Sequence, residues 1–153
     1  MKKIILLVLL FSLSSTTYVS AQSNETHKEQ FQSTYNNLKI LVATQKFQFI
    51  GETIFDGQKR EKLNKVDNTI NINDSKFSGQ LRAFKSTEVI LNHEEELSDF
   101  FVKTDDETQQ ITIKFTVNGN SLLINIRPNG KAVLTTSKTN GRQLSWIGSI
   151  TKL

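Results

Sequence analysis

The stretch ITIKFTVNGNSLLINIRPNGKAVLTTSKTNGRQLSWIG, residues 111–148, decides the fold because the dipeptide Asn-Gly returns in it at a regular interval. The three pairs begin at Asn118, Asn129 and Asn140, so successive pairs lie eleven residues apart. Asn-Gly supplies the positive φ angles that tight turns between strands require. Eleven residues correspond to one strand plus one turn, and the interval therefore predicts a four-stranded antiparallel meander. The residues around each pair do not repeat, which argues against a solenoid of short repeats.

The register of the meander follows from the requirement that its apolar side chains share one face, since a slip of one residue inverts every side chain. A two-residue turn at Asn118 and three-residue loops over residues 128–130 and 139–141 meet this requirement. The predicted cross-strand pairs include Phe115 with Leu122, Ile124 with Leu134, and Leu134 with Trp146. The predicted buried face is Ile111, Ile113, Phe115, Val117, Leu122, Ile124, Ile126, Leu134, Leu144, Trp146 and Ile150.

The opposite face of the meander is mostly polar, but Leu123, Val133 and Ile147 interrupt the pattern. Two interpretations of these three residues remain open. The N-terminal helix or another strand covers them as part of the fold, or they form an exposed apolar surface that meets a partner or lines a pocket.

A helix over about 27–44 precedes the β part of the chain. Phe31, Tyr35, Leu38 and Val42 recur at helical spacing and therefore share one face of that helix. From about residue 46 to residue 152 the pattern indicates strands, beginning with the alternating Phe47 and Phe49. The sequence thus predicts a mainly β (α+β) fold, in which an N-terminal helix precedes an antiparallel β sheet, barrel or sandwich that ends in the meander.

Residues 1–21 have the three parts of a secretory signal peptide. Lys2 and Lys3 form a basic start, the apolar run Ile4–Leu13 follows, and small residues lead to a cleavage point after Ala21. The apolar run is shorter than the roughly 20 residues of a spanning helix, so we expect no transmembrane anchor after signal removal. We expect a single globular β-rich domain over 22–153 and an exported protein, periplasmic or secreted. The chain has no cysteine, which excludes disulfides and thiolate chemistry.

No stretch of the sequence has the spacing of a catalytic or metal-binding motif. The two histidines, His27 and His93, lie far apart, and the acidic run around His93 lacks the spacing that places two ligands on one helical face. Asp105 and Asp106 lie in TDDET, which we interpret as a charged hairpin tip because it does not match a calcium loop. We therefore predict no catalytic residue, no metal and no cofactor. The absence of a Lys/Arg stripe interleaved with aromatics argues against nucleic acid as a partner.

A set of turn and core residues follows the order seen in one known family: Phe47 and Phe49, Asp74-Ser75, Ile111 to Val117, Asn129-Gly130, Ala132, Leu134, Arg142, and Ser145 to Gly148. On these residues the chain resembles a DUF4251-like family of small exported bacterial proteins over about Phe47 to Ile150. SGQLRAF stands where that family carries a Leu-Pro-Tyr-aromatic-Gly-like segment, so any role of that segment does not transfer. The resemblance implies a shared fold, and it implies no activity because the family is one of unknown function.

The sequence favours an exported, non-enzymatic binding or interaction domain of the bacterial envelope, because signatures of a nucleophile, a base and a metal site are all missing. Its partner would be an unknown protein or a small apolar ligand. One alternative is a carrier of small apolar ligands with a pocket inside a β-barrel. Another is a hydrolase whose site no motif reveals.

Overall fold

The computed structural model describes residues 28–84, 89–92, 94–136 and 143–153. The chain divides into two units, Met1–Ser33 and Thr34–Leu153. Residues 28–33, the described part of the first unit, are helical. The second unit contains the remaining turns of that helix and all the strands named below. Residues 1–21 and the cleavage point after Ala21 lie outside the described residues, so the domain boundary and the signal peptide stay predictions.

The described part of helix α1 covers residues 28–43, which lie within the predicted helix over about 27–44. Within the second unit its buried side chains are Tyr35, Leu38 and Val42, which join the hydrophobic core of the sheet. The helix ends where Gln45, at φ 54°, takes a left-handed conformation and directs the chain into the first strand. The backbone oxygen of Gln45 then accepts a 2.8 Å hydrogen bond from the backbone N–H of Asp74.

Eleven strands form one antiparallel sheet in the described part of the chain. They are β1 (Lys46–Phe55), β2 (Arg60–Lys62), β3 (Thr69–Asn73), β4 (Lys76–Arg82), β5 (Val89–Asn92), β6 (Glu95–Glu96), β7 (Ser98–Asp105), β8 (Gln110–Val117), β9 (Asn120–Ile126), β10 (Lys131–Thr136) and β11 (Ser145–Lys152). A short 3-10 turn, Val66–Asn68, precedes β3. The spatial order is β5-β4-β3-β1-β11-β10-β9-β8-β7, with β2 paired to β1 and β6 paired to β4.

The predicted register of the β8–β9 hairpin is confirmed, with Phe115 opposite Leu122 and Val117 opposite Asn120. Asn118 and Gly119 have φ values of 51° and 72°. Positive φ at both central residues is the signature of the type I′ turn, whose twist matches that of the flanking strands.

The two later turns keep the same face inward. Across the second turn Ile124 pairs with Leu134, as predicted, and Gly130 has φ 81°. Across the third turn Leu134 pairs with Trp146, again as predicted. Residues 137–142, which include the predicted three-residue loop, lie outside the described residues.

The sheet of the second unit nearly closes into a barrel. The short strand β6 pairs with β4 through Lys76 and Glu96, and the chain then enters β7, which pairs with β8. One stretch of chain thus links the two ends of the sheet. Inside, the rings of Phe77 on β4 and Phe115 on β8 lie 6.4 Å apart. The choice between barrel and sandwich, which the sequence leaves open, is therefore resolved in favour of a nearly closed barrel.

Side chains fill the interior of this barrel. The predicted buried face of the meander is buried throughout, except that Leu144 is only half-buried because it precedes β11 at the third turn. Trp146 is fully buried, and its Nε1 donates a 3.0 Å hydrogen bond to the backbone oxygen of Arg82. Gly148 lies where β1 and β11 approach so closely that a Cβ would overlap the carbonyl oxygen of Ile50.

The charged stretch DGQKREKLNK, residues 56–65, contains β2, which pairs with the end of β1. Residues 56–59 connect the two strands, with Gly57 at φ 95° and the backbone N–H of Asp56 donating to the backbone oxygen of Lys59 at 3.3 Å. The three residues of β2 are too few, and too similar to the charged residues around them, to show the alternation typical of a strand. They form a strand because they pair with β1.

Candidate functional site

The three residues predicted as a candidate surface, Leu123, Val133 and Ile147, lie half-buried on the outer side of the sheet. Val133 and Ile147 are direct cross-strand partners, and Leu123 lies in the adjacent row opposite Thr135. Helix α1 packs with the inward-facing side chains, on the other side of the sheet. The described turns of the helix in the second unit therefore pack on the inward side of the sheet. The interpretation of these three residues as a partner surface stays a prediction.

The cross-strand register extends this surface to β1 and β2. Ile147 pairs with Thr53, and Thr53 pairs with Lys62. One row further along, Phe55 pairs with Arg60 of β2. Strand β1 therefore adds the aromatic ring of Phe55 to the apolar residues, and strand β2 adds the cations Arg60 and Lys62 beside them.

Cations border the apolar residues on several sides. Lys114 lies opposite Leu123 on β8, and Lys131 lies two residues before Val133 on β10. Lys65 follows β2 and contacts the carboxylate of Glu52. We call this surface the amphipathic face and define it by Phe55, Leu123, Val133 and Ile147 with Arg60, Lys62, Lys65, Lys114 and Lys131.

Glu52 is the carboxylate that enters the amphipathic face. It lies in the irregularity of β1 between Gly51 and Thr53. Its Oε1 lies 3.0 Å from Nζ of Lys65, and its Oε2 lies 3.3 Å from Nζ of Lys131. Hydrogen bonds from Lys65 and Lys131 hold the pKa of Glu52 below its ordinary value, so the carboxylate stays ionised at neutral pH and is shared between two cations.

A pocket of about 380 Å³ opens at the β1–β2 end of this face. It is lined by Glu52, Thr53, Arg60, Lys62, Leu63 and Lys65. The guanidinium carbon of Arg60 lies 5.9 Å from the centre of the Phe55 ring, within the range of a cation–π contact. Within the described part of the chain, no carboxylate lies within ion-pair distance of Arg60 or Lys62.

A second concavity, about 500 Å³, lies over the outer side of β1, β3 and β4. Its lining is neutral and polar apart from Glu94: Gln48, Thr69, Asn71, Ser78 and Gln80, with Val66 at one side. Several of these groups already have partners within the protein. Gln48 Nε2 donates to the backbone oxygen of Lys152 at 3.1 Å, and Asn71 Nδ2 donates to Ser78 Oγ at 3.4 Å. This polar groove therefore offers fewer free donors than the pocket at β2.

The acidic stretch around His93 forms no ligand cluster in the described residues. Glu94, Glu96 and Asp99 are exposed, and His93 itself lies outside the described residues. The described part of the chain contains no group of three His, Cys, Asp or Glu side chains placed to hold a metal ion. Glu95, which the sequence analysis does not single out, accepts a hydrogen bond from Nδ2 of Asn118.

The hairpin tip TDDET anchors the helix. Asp106 Oδ1 accepts a 2.6 Å hydrogen bond from the Tyr35 hydroxyl and lies 2.7 Å from Nζ of Lys39. The backbone N–H and the side chain of Thr108 hold the pKa of Asp105 below its ordinary value. The prediction of a charged hairpin tip between β7 and β8 agrees with this arrangement.

Arg60, Lys62 and Phe55 are the surface residues that sequence reasoning missed. A signal was present, since Arg60 and Lys62 alternate directly after the Asp56-Gly57 turn. The register that brings them beside Ile147 depends on the irregularity of β1 at Glu52. The hydrophobic periodicity of the sequence does not predict that irregularity.

No helix in the described part of the chain is long and apolar enough to cross a membrane. No protein-family model matches the sequence, and no curated protein matches it.

Solved structures that are similar in fold include a DUF4251 family protein from Bacteroides eggerthii DSM 20697, known from its crystal structure. The similarity has a TM-score of 0.57 at 15% sequence identity, and it covers 77% of this chain and 87% of that chain. The chain thus has a DUF4251-like fold, as its sequence indicates. A likeness at this identity establishes the fold alone.

Proposed function

We propose that this chain is an exported, non-enzymatic binding domain of the bacterial envelope that meets its partner through the amphipathic face. The observation that carries the proposal is the placement of Val133 and Ile147, side by side and half-buried on the outer side of the sheet, inside a border of cations. Exposed apolar residues in a polar rim are typical of interaction sites.

The state of the barrel interior supports surface binding over the alternative of an apolar-ligand carrier. Phe47, Phe49, Ile70 and Trp146 are each 0% exposed. A ligand inside the barrel would have to displace such side chains, and displacement from a close-packed protein interior carries a large cost. A carrier would instead need an apolar cavity that remains open in the absence of ligand.

Export is the part of the proposal that rests on the sequence alone, through the basic start, the apolar run and the small residues before Ala21. We expect the protein recovered from the envelope or the medium of an expressing bacterium to begin at Gln22. N-terminal sequencing checks this, and a recovered protein that begins at Met1 would contradict export by cleavage.

Quantitative capture from an envelope extract of the native host tests the binding surface. The double variant Val133→Ser and Ile147→Ser removes the apolar centre of the face. We expect partners captured by the wild-type chain to be lost with this variant. The matched control, Asn71→Ala with Gln80→Ala in the polar groove, should capture them as the wild type does.

Two results would contradict the proposal. One is a wild-type chain that captures nothing beyond what a bare matrix retains. The other is a set of partners that survives the Val133 and Ile147 changes but is lost with the groove variant, which would move the site to β3 and β4.

A further inference from the structure

We propose that the pocket between β1 and β2 binds the anionic head of an acidic amphiphile, a phosphate or a carboxylate, while the apolar chain of the same ligand lies along Phe55, Ile147 and Val133. This inference rests on the proposed function, because it names the class of ligand that the amphipathic face takes.

The charge of the pocket selects an anion. Arg60, Lys62 and Lys65 line it, and the one carboxylate among the lining residues, Glu52, is already held by Lys65 and Lys131. Among the described residues, Arg60 and Lys62 have no ion-pair partner, so their donors are available to a ligand. Guanidinium and ammonium groups bind phosphate and carboxylate through charge-assisted hydrogen bonds, which are stronger than hydrogen bonds between neutral groups.

Arg60 has one contact that favours a particular orientation before a ligand arrives. Its guanidinium carbon lies 5.9 Å from the centre of the ring of Phe55, its direct cross-strand partner. A cation–π contact favours the rotamers that keep the guanidinium beside the ring. The hydroxyl of Thr53, in the same pocket, adds a donor of a different kind.

The size of the pocket fits a head group and excludes a whole lipid. Its volume of about 380 Å³ lies at the low end of ligand pockets. The remainder of a larger ligand must therefore leave the pocket along the surface. The pairing of the neighbouring strands determines which side chains it contacts there.

The surface beside the pocket is apolar in the direction that runs from β1 across β11 to β10. Thr53 pairs with Ile147, and Ile147 pairs with Val133. Two interstrand steps, about 10 Å in all, separate the pocket from Val133. An acyl or alkyl chain attached to a bound head group can cover this distance and bury the apolar surface that these half-buried side chains still expose.

A titration of the exported protein with a series of alkyl phosphates tests the proposal, with heat of binding as the readout. The probes are inorganic phosphate, butyl, hexyl and octyl phosphate, octanoate, and the neutral octyl glucoside. We expect octyl phosphate and octanoate to bind, and octyl glucoside and inorganic phosphate to bind far more weakly. Each added methylene should tighten binding by about two- to fourfold until the chain passes Val133.

Variants locate the two halves of the ligand. Arg60→Gln with Lys62→Gln should weaken octyl phosphate binding by about tenfold or more, since each loses a hydrogen bond to a charged group. Val133→Ser with Ile147→Ser should instead abolish the dependence on chain length. The matched control is Lys59→Gln, an exposed lysine next to Arg60 that does not line the pocket, and it should bind as the wild type does.

Three outcomes would overturn the inference, and they differ in what they imply for the proposed function. The first is octyl phosphate binding that survives the Arg60 and Lys62 changes, and the second is octyl glucoside binding as tight as that of octyl phosphate. Either result contradicts the anion site but remains compatible with an apolar interaction surface. No binding of any probe, together with envelope partners that are captured through Val133 and Ile147, leaves the proposed function and removes this ligand class.

Discussion

Trp146 connects two distant strands of the barrel. It lies fully buried on β11, and its indole N–H reaches the backbone oxygen of Arg82 at the end of β4. A buried indole that is both packed and hydrogen-bonded contributes through its large apolar area and through the satisfied polar group. Its neighbours in the register, Ile54 and Leu134, are fully buried as well.

Trp146→Ala should lower the free energy of unfolding by about 3–5 kcal/mol, because it leaves a large cavity in the packed interior. Urea unfolding of the variant measures this loss. Gln143→Ala, an exposed position three residues earlier, is the control and should change stability by less than about 0.5 kcal/mol. Since Trp146 is the single tryptophan, native emission should be blue-shifted and protected from iodide. A red-shifted emission that iodide quenches readily would place the ring in water and contradict the register.

Helix α1 is joined to the β7–β8 turn by a polar contact at the edge of the core. Tyr35 is buried, with 2% of its surface exposed, and its hydroxyl donates to Asp106. Burial, together with the hydrogen bond to Asp106 and the charge of that carboxylate, raises the pKa of Tyr35 to about 12. Lys39 binds the same carboxylate, but Asp106 is largely exposed, so this ion pair contributes little.

The raised pKa of Tyr35 predicts how stability depends on alkaline pH. The folded protein holds the phenol proton more tightly than the unfolded chain, whose tyrosine titrates near pH 10. The stabilisation is therefore complete below about pH 10 and is lost as the pH rises towards about 12.

Tyr35→Phe lacks this titrating group and serves as the matched variant. At neutral pH it should be less stable than the wild type by about 1 kcal/mol, through loss of the hydrogen bond to Asp106. The difference should shrink between about pH 10 and pH 12, as measured by denaturant unfolding across that range. A difference that stays constant with pH would show that Asp106 does not perturb the Tyr35 hydroxyl.

At the scale of the whole second unit, closure of the barrel depends on contacts between strands that are far apart in the sheet order. β4 and β8 do not pair with each other, and β6 and β7 connect them. The backbone N–H of Leu97 donates to the oxygen of Ser75 at 2.7 Å, and Phe77 meets Phe115 inside. The two ends of the sheet are therefore joined by side-chain packing as well as by the chain.

A double-mutant cycle between Phe77 and Phe115 measures this closure. Each change to Leu should destabilise the protein, and the two effects should couple by about 0.5–1.5 kcal/mol, the range of aromatic pairs. The control cycle pairs Phe115 with Phe47 on β1, whose ring forms no aromatic pair with Phe115 among the described residues, and its coupling should be smaller. Additive effects in the first cycle would mean that the interior contact does not contribute to closure.

The sequence by itself determined the elements whose interactions are local. Asn118 and Gly119 specify a type I′ turn, and the strict alternation from Ile111 to Val117 leaves only one register that keeps the apolar side chains together. The same reasoning carries through Leu134 to Trp146, because a one-residue slip would expose the whole apolar face. The buried stripe of α1 follows from helical spacing in the same way.

Only the tertiary structure decided how the ends of the sheet meet and what lies beside Ile147. Arg60 and Lys62 lie in a short strand within a charged stretch, and their distance from Ile147 depends on the irregularity of β1 around Glu52. Periodicity reports which face of a strand is buried, but it does not report which strand will be its neighbour, because that choice is made by packing between segments far apart in the chain. The amphipathic face and its pocket are therefore assembled only when β1 pairs with both β2 and β11.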